Sequence, residues 1–286
     1  MKPQIIRKLF FILIPLSFLS CESMISDVDA PTTEPKLVVH CYLRPNSDSV
    51  VVYVNQSQPL FSSRPIFSYE PLVVMDATVK ISDGNFVKTL DFDIFRRRYF
   101  STEMEIEAGK TYWLTVESAL GTVRSHCTLP AKDPPQIEIL SVENNPGEPN
   151  EKRINFRFRD GVGEGDFYRV TARSFQQYGE RPEDGYLEDI WMQMGEEFIT
   201  DKFKDGDFYV YRTGWIQAGF FTDRVVDICV SITDEPYFNY HRSVFNFDSG
   251  NPFSEPSPVY TNIESGLGVF AGYSSSVVQV NLGKMN

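Results

Sequence analysis

Short runs of β-branched and aromatic residues recur along this chain, and turn sequences separate them. In the first half they include KLVVHCYL at 36–43, DATVKIS at 76–82 and TYWLTVE at 111–117. The turn Asp83-Gly84-Asn85 directly after the second run is typical of a hairpin. No helical periodicity competes with this pattern. It therefore predicts about seven strands and an immunoglobulin-like β-sandwich over residues 36–130.

The segment PAKDPP at 130–135 is the best candidate for a domain boundary, because proline cannot continue a central strand. Strand-like runs begin again at Gln136. The clearest, RINFRFR at 153–159, places three apolar residues on one face and polar residues on the other. Further strand candidates follow at 166–175, 189–194, 207–213, 224–233 and 267–282. The sequence thus predicts a second, β-rich domain at 136–286 and a mainly β fold class.

One amphipathic helix is predicted near residues 234–248 of the second domain. Its aromatic and apolar residues recur at helical spacing: Tyr237, Tyr240, His241, Val244 and Phe245. Thr233 or Asp234 can cap the first turn, and Pro236 suits that turn because the first helical N–H groups have no partner within the helix. We expect the aromatic face of this helix to pack against a sheet.

The N-terminus has the features of a secretory signal that ends in a lipid-acceptor cysteine. Basic residues precede an apolar run of 11 residues at 9–19, and Ser20 stands directly before Cys21. A membrane-spanning helix needs roughly 20 apolar residues, so this run is too short to be one. We expect cleavage of residues 1–20, acylation of Cys21 as in the bacterial lipoproteins that this stretch resembles, and a polar tether at 21–35. An ordinary signal peptide that happens to contain a cysteine is the alternative.

The charge of the chain bears on its partners. The net charge of −12 becomes −15 when residues 1–20, which carry three basic and no acidic side chains, are removed. Such an acidic chain gains no affinity from a phosphate backbone or from anionic lipid. We therefore expect no nucleic-acid partner, and we assign the membrane contact to the lipid.

Three cysteines remain after Cys21, which allows at most one internal disulfide in an oxidising compartment. Cys41 and Cys127 each follow a histidine, in the first and last strand-like runs of the predicted sandwich. If those strands lie side by side in equal register, the two thiols meet, and we predict this pair as the disulfide. Cys229 lies between apolar residues and is expected to be a buried free thiol.

Several stretches together resemble one family: EPKLVVHCYL at 34–43, DATVKISDG at 76–84, GKTYWLTV at 109–116, NPFSEP at 251–256 and NIESGLGVFAGYSSS at 262–276. They are similar to the Bacteroidota lipoproteins grouped as domain of unknown function 4249, and the last stretch is the most specific. Members of that family are often encoded beside TonB-dependent outer-membrane transporters. The resemblance therefore implies an outer-membrane location and an accessory role in nutrient uptake, with such a transporter as partner. It supplies no catalytic residues.

Motifs that could carry chemistry are weak in this sequence. Gly266-x-Gly268 lacks the following helix that a phosphate-binding loop needs, so close backbone packing is the preferred reading. The aspartates of DKFKDGD at 201–207 lack the pattern of an EF-hand, which favours a solvated acidic turn. In the His-Cys pairs at 40–41 and 126–127, neighbouring side chains of a strand point to opposite faces, which argues against zinc. We therefore predict no metal, no cofactor and no catalytic residue.

The remaining candidates for a site are aromatic residues in loop-like stretches of the second domain. They are Tyr178, Tyr186, Trp191 and Trp215. These rings could form a stacking platform for a sugar or a hydrophobic anchor for a partner. Alternatively, they cap the core of the second domain.

Two functions are compatible with these features. One is a lipid-anchored, non-enzymatic module that binds a ligand or a partner, and the other is a β-sandwich hydrolase of extracellular polymers such as glycans. The hydrolase needs acidic or nucleophilic groups that converge in a cleft, whereas the module needs only an exposed apolar or aromatic patch. The sequence contains no Gly-x-Ser-x-Gly and no His-Glu-x-x-His motif. We therefore prefer the binding module.

Overall fold

The computed structural model of the chain describes residues 34–58, 72–179, 181, 183–202, 205–247 and 258–284. The predicted signal at 1–20, Cys21 and the tether up to residue 33 lie outside the described residues. Among the described residues no helix is long and apolar enough to cross a membrane.

The described residues form eighteen strands and one helix, α1, at Glu235–Phe245. The strands of the first half are β1 Leu37–Leu43, β2 Val50–Gln56, β3 Thr78–Ser82, β4 Val87–Thr89, β5 Asp91–Asp93, β6 Arg98–Ser101, β7 Thr111–Ser118 and β8 Gly121–Thr128. Those of the second half are β9 Ile137–Asn144, β10 Glu151–Arg159, β11 Phe167–Gln177, β12 Gly185–Asp189, β13 Met192–Met194, β14 Phe198–Thr200, β15 Phe208–Thr213, β16 Ile216–Gln217, β17 Arg224–Thr233 and β18 Leu267–Gly283. The predicted mainly β fold class is confirmed.

These strands form three sheets within the described part of the chain. The largest has the order β12-β11-β17-β18-β1-β2-β6-β5, with β14 also paired to β11. The second has the order β13-β15-β10-β16, with β9 beside β10, and the third has the order β4-β3-β7-β8. The sheets pack face to face, and alternate residues of strands such as β1, β7 and β11 are buried in the cores between them.

The first core lies between β1, β2 and β6 of the large sheet and the sheet of β3, β7 and β8. Alternate residues of β1 point inwards, and Leu37, Val39 and Cys41 are at most 2% exposed. Tyr112 and Leu114 of β7 belong to the same apolar cluster. This arrangement is the sandwich that the strand spacing predicts.

The second core lies between β11, β17 and the end of β18 on one side and β10 and β15 on the other. The predicted alternation in β10 is confirmed, because Ile154, Phe156 and Phe158 are all buried. Aromatic rings dominate this core, and the ring centroids of Phe156 and Tyr211 lie 5.2 Å apart. The aromatic content of the sequence therefore serves packing as well as any site.

Strand β18 takes part in both cores. Its first part runs parallel to β1, from Leu267 opposite Val38 to Gly272 opposite Leu43. From Tyr273 onwards it runs antiparallel to β17. Phe270 accordingly lies in the first core, and Val280 and Leu282 lie in the second. The residues before 130 build the first core and those after 135 build the second, except that Ile263 and Phe270 return to the first core before the chain ends in the second. The division into domains stays a prediction.

The glycines of the most specific sequence stretch provide close backbone packing, as the sequence favours. Gly268 has a φ of +101°, and a Cβ atom there would lie 2.1 Å from the carbonyl oxygen of Val39. A side chain would therefore separate β18 from β1. At Gly272 a Cβ atom would lie 2.9 Å from Cγ of Leu129.

Helix α1 begins at a buried cap. The Oδ1 atom of Asp234 accepts a hydrogen bond from the Tyr237 N–H at 2.9 Å, and its Oδ2 atom accepts one from the Gly272 N–H at 2.8 Å. Of the two predicted caps, Asp234 is therefore the one used, and the same carboxylate ties the helix to β18. Burial raises the pKa of Asp234 to about 7.

The predicted aromatic face of α1 is confirmed only in its first turns. Tyr237 is buried against β18, but Val244 and Phe245 are 45% and 66% exposed. Phe238, which the prediction left out, is buried instead, with its ring 5.1 Å from that of Phe167. The physical reason is that the sheet lies under the start of the helix, so the last turn has little to pack against.

The structure does not contain the predicted disulfide between Cys41 and Cys127. Cys41 and Cys127 are both buried free thiols in the structure. The premise that their strands lie side by side is wrong, because β1 lies between β2 and β18, whereas β8 belongs to the other sheet of the sandwich. The two thiols point into the first core from opposite sheets. Cys229 is a free thiol as predicted, although it is half-buried rather than buried.

Thiol titration checks this correction. Burial raises the pKa of both the Cys41 and the Cys127 thiol, so neither should react with a thiol reagent in the native protein. In a Cys21→Ser protein prepared without reductant, we expect all three remaining thiols to react once the chain is denatured. Reaction of a single thiol after denaturation would show that the Cys41–Cys127 bridge forms after all.

His241 should make stability depend on pH. Burial, with smaller effects from the charges of Arg169 and His40, lowers its pKa from 6.5 to about 3. The unfolded chain therefore binds a proton that the folded protein excludes, and the contribution of His241 to the free energy of unfolding is complete above pH 6.5 and lost as the pH falls towards 3. In urea unfolding at pH 7 and pH 4.5, His241→Gln should lose less stability than the wild type. His126→Gln, at an exposed position in β8, is the matched control, and equal losses in all three proteins would contradict the prediction.

Candidate ligand-binding cleft

The four aromatic residues that the sequence singles out lie on separate segments but line one cleft. Tyr178 follows β11, Tyr186 is in β12, Trp191 lies between β12 and β13, and Trp215 directly precedes β16. All four border the same cleft, which has a volume of about 350 Å³. This size is within the range of small-molecule sites. The structure therefore brings together every residue of the predicted aromatic set.

These rings do not fill a core. Tyr178, Tyr186 and Trp191 are 65%, 54% and 64% exposed, whereas Trp215 is half-buried. Phe220, which sequence reasoning missed, also borders the cleft and is 50% exposed. Large aromatic side chains that cluster on the surface are unfavourable in water, and such exposed patches mark binding sites.

Both tryptophans are fixed by their neighbours. The indole of Trp191 lies directly on Gly214, where a Cβ atom would come within 2.4 Å of the ring. The Gly214 N–H donates to the carbonyl of Trp191 at 2.9 Å. The guanidinium of Arg153 lies 4.5 Å from the centroid of the Trp215 ring, which is a cation–π contact. The rings are thus held in place before any ligand arrives, which reduces the entropy lost on binding.

A buried arginine forms part of the polar lining. Arg224, at the start of β17, is only 4% exposed. Its guanidinium donates to the Ser174 Oγ at 3.1 Å, to the Gln217 carbonyl at 2.8 Å and to the carboxylate of Glu188. This network fixes the polar side of the cleft, because each N–H that it uses has a defined acceptor.

Gln176 brings an unpaired acceptor to the cleft. Its side chain is 8% exposed and borders the cleft, and its Oε1 atom has no hydrogen-bond partner among the described residues. Leaving a buried acceptor unpaired costs about 1–3 kcal/mol. A ligand that offers a hydroxyl or amide donor would remove that cost.

The carboxylates of the cleft are held by partners of the protein itself. Glu188 accepts from Arg224, Asp189 accepts from the Arg173 Nε at 2.6 Å, and Glu151 accepts from the Asn145 Nδ2 at 2.7 Å. A general acid has to carry a proton that it can give up. Paired carboxylates of this kind suit recognition better than proton transfer.

A second cleft adjoins the first. It has a volume of about 620 Å³ and shares Asp189, Ile190 and Trp191 with the aromatic cleft. Its other lining residues include Arg169, Arg242 and the exposed Phe245. Trp191 therefore borders both clefts.

The structure also places the aspartates at 201–207 and the two His-Cys pairs. Of the three aspartates at 201–207, Asp201 is buried, whereas Asp205 and Asp207 are exposed. In the His-Cys pairs, the cysteines face the first core and the histidines face away from it, as strand alternation predicts. The Nε2 atom of His40 instead lies 2.8 Å from the hydroxyl oxygen of Tyr240.

Comparison with models of known protein families identifies the family of this chain. A family model described as Domain of unknown function (DUF4249) matches residues 25–278. No curated protein matches the chain.

Proposed function

This chain belongs to the DUF4249 family, and we propose that it is a non-enzymatic binding protein of the cell envelope whose aromatic cleft takes a carbohydrate. The observation that carries the proposal is the convergence of exposed aromatic rings with a buried, unpaired amide oxygen and a buried arginine in one cleft. The rings supply apolar surface, and the polar groups supply directed hydrogen bonds.

A sugar matches both halves of this lining. The C–H groups of a pyranose form an apolar face that stacks on Trp and Tyr, while its hydroxyls both donate and accept hydrogen bonds. Gln176 Oε1 needs a donor, and the paired Glu188 and Asp189 have further lone pairs to offer. A purely apolar anchor from a protein partner would leave Gln176 Oε1 without a donor, which costs free energy. The adjoining cleft favours an oligosaccharide over a single sugar unit.

The proposal includes attachment to the membrane by a lipid on Cys21. Its support is the signal-like sequence at 1–20, with a cysteine directly after Ser20. Two or three acyl chains hold a protein on a membrane stably, since each buried methylene contributes about 0.8 kcal/mol. An outer-membrane location and association with a TonB-dependent transporter in nutrient uptake follow from the family resemblance. A hydrolase of extracellular glycans remains the alternative, but the paired carboxylates of the cleft favour binding without cleavage.

Titration with a panel of oligosaccharides tests the function of the cleft. We expect binding that changes tryptophan fluorescence, because two of the three tryptophans border the cleft. Trp191→Ala and Tyr186→Ala should each weaken binding about tenfold or more, as expected for a central aromatic contact. Neither variant should lower stability much, since both rings are exposed.

Trp113→Ala is the matched control for that titration. Trp113 is 45% exposed in β7, outside the residues that line the cleft, so its removal should leave binding unchanged. Binding of no oligosaccharide, or equal losses in the Trp113 and Trp191 variants, would contradict the proposal. Release of shortened glycan during the titration would favour the hydrolase.

Replacement of the acceptor cysteine tests the anchor. Cys21→Ser should accumulate as an unprocessed precursor, because the lipid is attached before the signal is cleaved. Membrane fractionation followed by immunoblotting measures this outcome, and the wild type should sediment with the outer membrane. Mature Cys21→Ser protein in the membrane fraction would refute the lipid anchor, and wild-type protein in the inner membrane would refute the location.

A further inference from the structure

Three carboxylates meet beside the second core, and one of them, Asp201, begins the acidic segment at 201–207 that the sequence singles out. Asp160 directly follows β10, Asp166 directly precedes β11, and Asp201 directly follows β14. One oxygen from each lies within 4.8 Å of the others. Two oxygens that bind the same Ca²⁺ at about 2.3–2.6 Å lie at most about 5 Å apart, so this spacing suits a shared ion.

The cluster is buried. Asp160 and Asp201 are 3% and 1% exposed, and the side chain of Asp166 is 12% exposed. Buried carboxylates of this kind repel one another and lose their hydration, so they need a compensating charge.

The protein compensates only part of this charge. Asp160 accepts from the Tyr168 hydroxyl at 2.6 Å and from the Gly206 N–H at 2.8 Å. Lys132 is the cation that pairs with the cluster, and its Nζ lies 2.6 Å from Asp166 Oδ2. Three carboxylates and one ammonium carry a net charge of −2 when all are ionised, which is the charge that a divalent cation neutralises.

Asp201 gives a second, independent indication of a ligand. Its Oδ1 atom accepts from the Gly165 N–H at 3.0 Å. Its Oδ2 atom is buried and has no hydrogen-bond partner in the described part of the chain. An ionised oxygen that is buried and unpaired is strongly unfavourable, and an ion bound within the cluster would supply the missing partner.

The geometry points to a divalent cation site formed by Asp160, Asp166 and Asp201, with Ca²⁺ as the ion that it fits best. The ligand atoms are all oxygens, which suit Ca²⁺ or Mg²⁺, whereas zinc and copper prefer nitrogen and sulfur. Mg²⁺ keeps several of its water molecules, and a buried cluster leaves little space for them. A cavity of about 410 Å³, lined in part by Lys132, Gly165 and Asp166, gives the ion a route from solvent. This site is independent of the aromatic cleft and of the function proposed for it.

Lys132 links the proposed ion to the junction of the two cores. It lies in the segment at 130–135, and its Nζ also donates to the Gly163 carbonyl at 2.8 Å. Its positive charge competes with a bound cation for Asp166. Removal of this charge should therefore tighten ion binding, whereas removal of an acidic ligand should abolish it.

The test uses the whole protein, purified in detergent and freed of divalent ions with EDTA. Ca²⁺ at about a hundred times its Kd should raise the Tm by roughly 5–10 °C, and Mg²⁺ at the same concentration should raise it less. Tb³⁺, used as a luminescent substitute, should show emission when tyrosine is excited, because Tyr168 contacts the cluster, and Ca²⁺ should displace it. Absence of both effects would overturn the proposal.

Variants decide whether the ion binds at this cluster. Asp201→Asn should lose the Ca²⁺-dependent rise in Tm and the Tb³⁺ emission, and Asp207→Asn, at an exposed position nearby, should keep both. Lys132→Met should bind Ca²⁺ at least severalfold more tightly, which supplies a second test if Asp201→Asn does not fold. Equal losses in the Asp201 and Asp207 variants, or weaker binding by Lys132→Met, would show that the ion binds elsewhere or that the cluster is only an ion-pair network.

Discussion

Parallel pairing between β1 and the first part of β18 is the contact on which the rest of the fold depends. Residues 267–272 have β1 on one side, and β17 reaches β18 only from Tyr273 onwards. On the edge of β18 that faces away from β1, side chains supply hydrogen-bond partners for the backbone. Asn262 donates to the Phe270 carbonyl at 2.7 Å and accepts from the Phe270 N–H at 3.0 Å. Asp234 accepts from the Gly272 N–H, so Phe270 and Gly272 both have a partner on the edge away from β1.

These contacts give physical meaning to the most specific stretch of the sequence, at 262–276. Asn262 takes the place of a neighbouring strand, Gly268 lets β18 approach β1, and Phe270 fills the first core. The same strand then continues beside β17 into the second core. Loss of the first core would therefore remove part of the support of the large sheet, whose far end carries β12 and the aromatic cleft.

The sequence predicts those features that depend only on the residues of one strand or one helix. Alternation predicts the buried face of β10, and helical spacing together with a capping residue predicts α1. Pairing between distant strands leaves no such local signal. This is why the prediction that the strands of Cys41 and Cys127 lie side by side was wrong. Nothing local indicates that β18 enters the first core, since its apolar residues fit either core equally well.

The same distinction applies to the sites. The aromatic residues of the cleft stand out because large rings in loop-like segments have no evident core to fill. Gln176 and Arg224 pass unnoticed, because polar residues in a strand normally face solvent. The cluster of Asp160, Asp166 and Asp201 unites three strand ends, and the sequence analysis singled out only Asp201, within the segment at 201–207. Its third member is distant in sequence, so only the fold reveals the group.

Native-state hydrogen exchange tests most directly whether β18 makes the two cores a single unfolding unit. The amides of β7 report on the first core and those of β10 report on the second. Since both cores share one strand, the most protected amides of β7 and β10 should exchange with the same free energy of opening and the same dependence on denaturant. Exchange of the β7 amides through a smaller opening, while the β10 amides stay protected, would show that the cores unfold separately and would contradict this account.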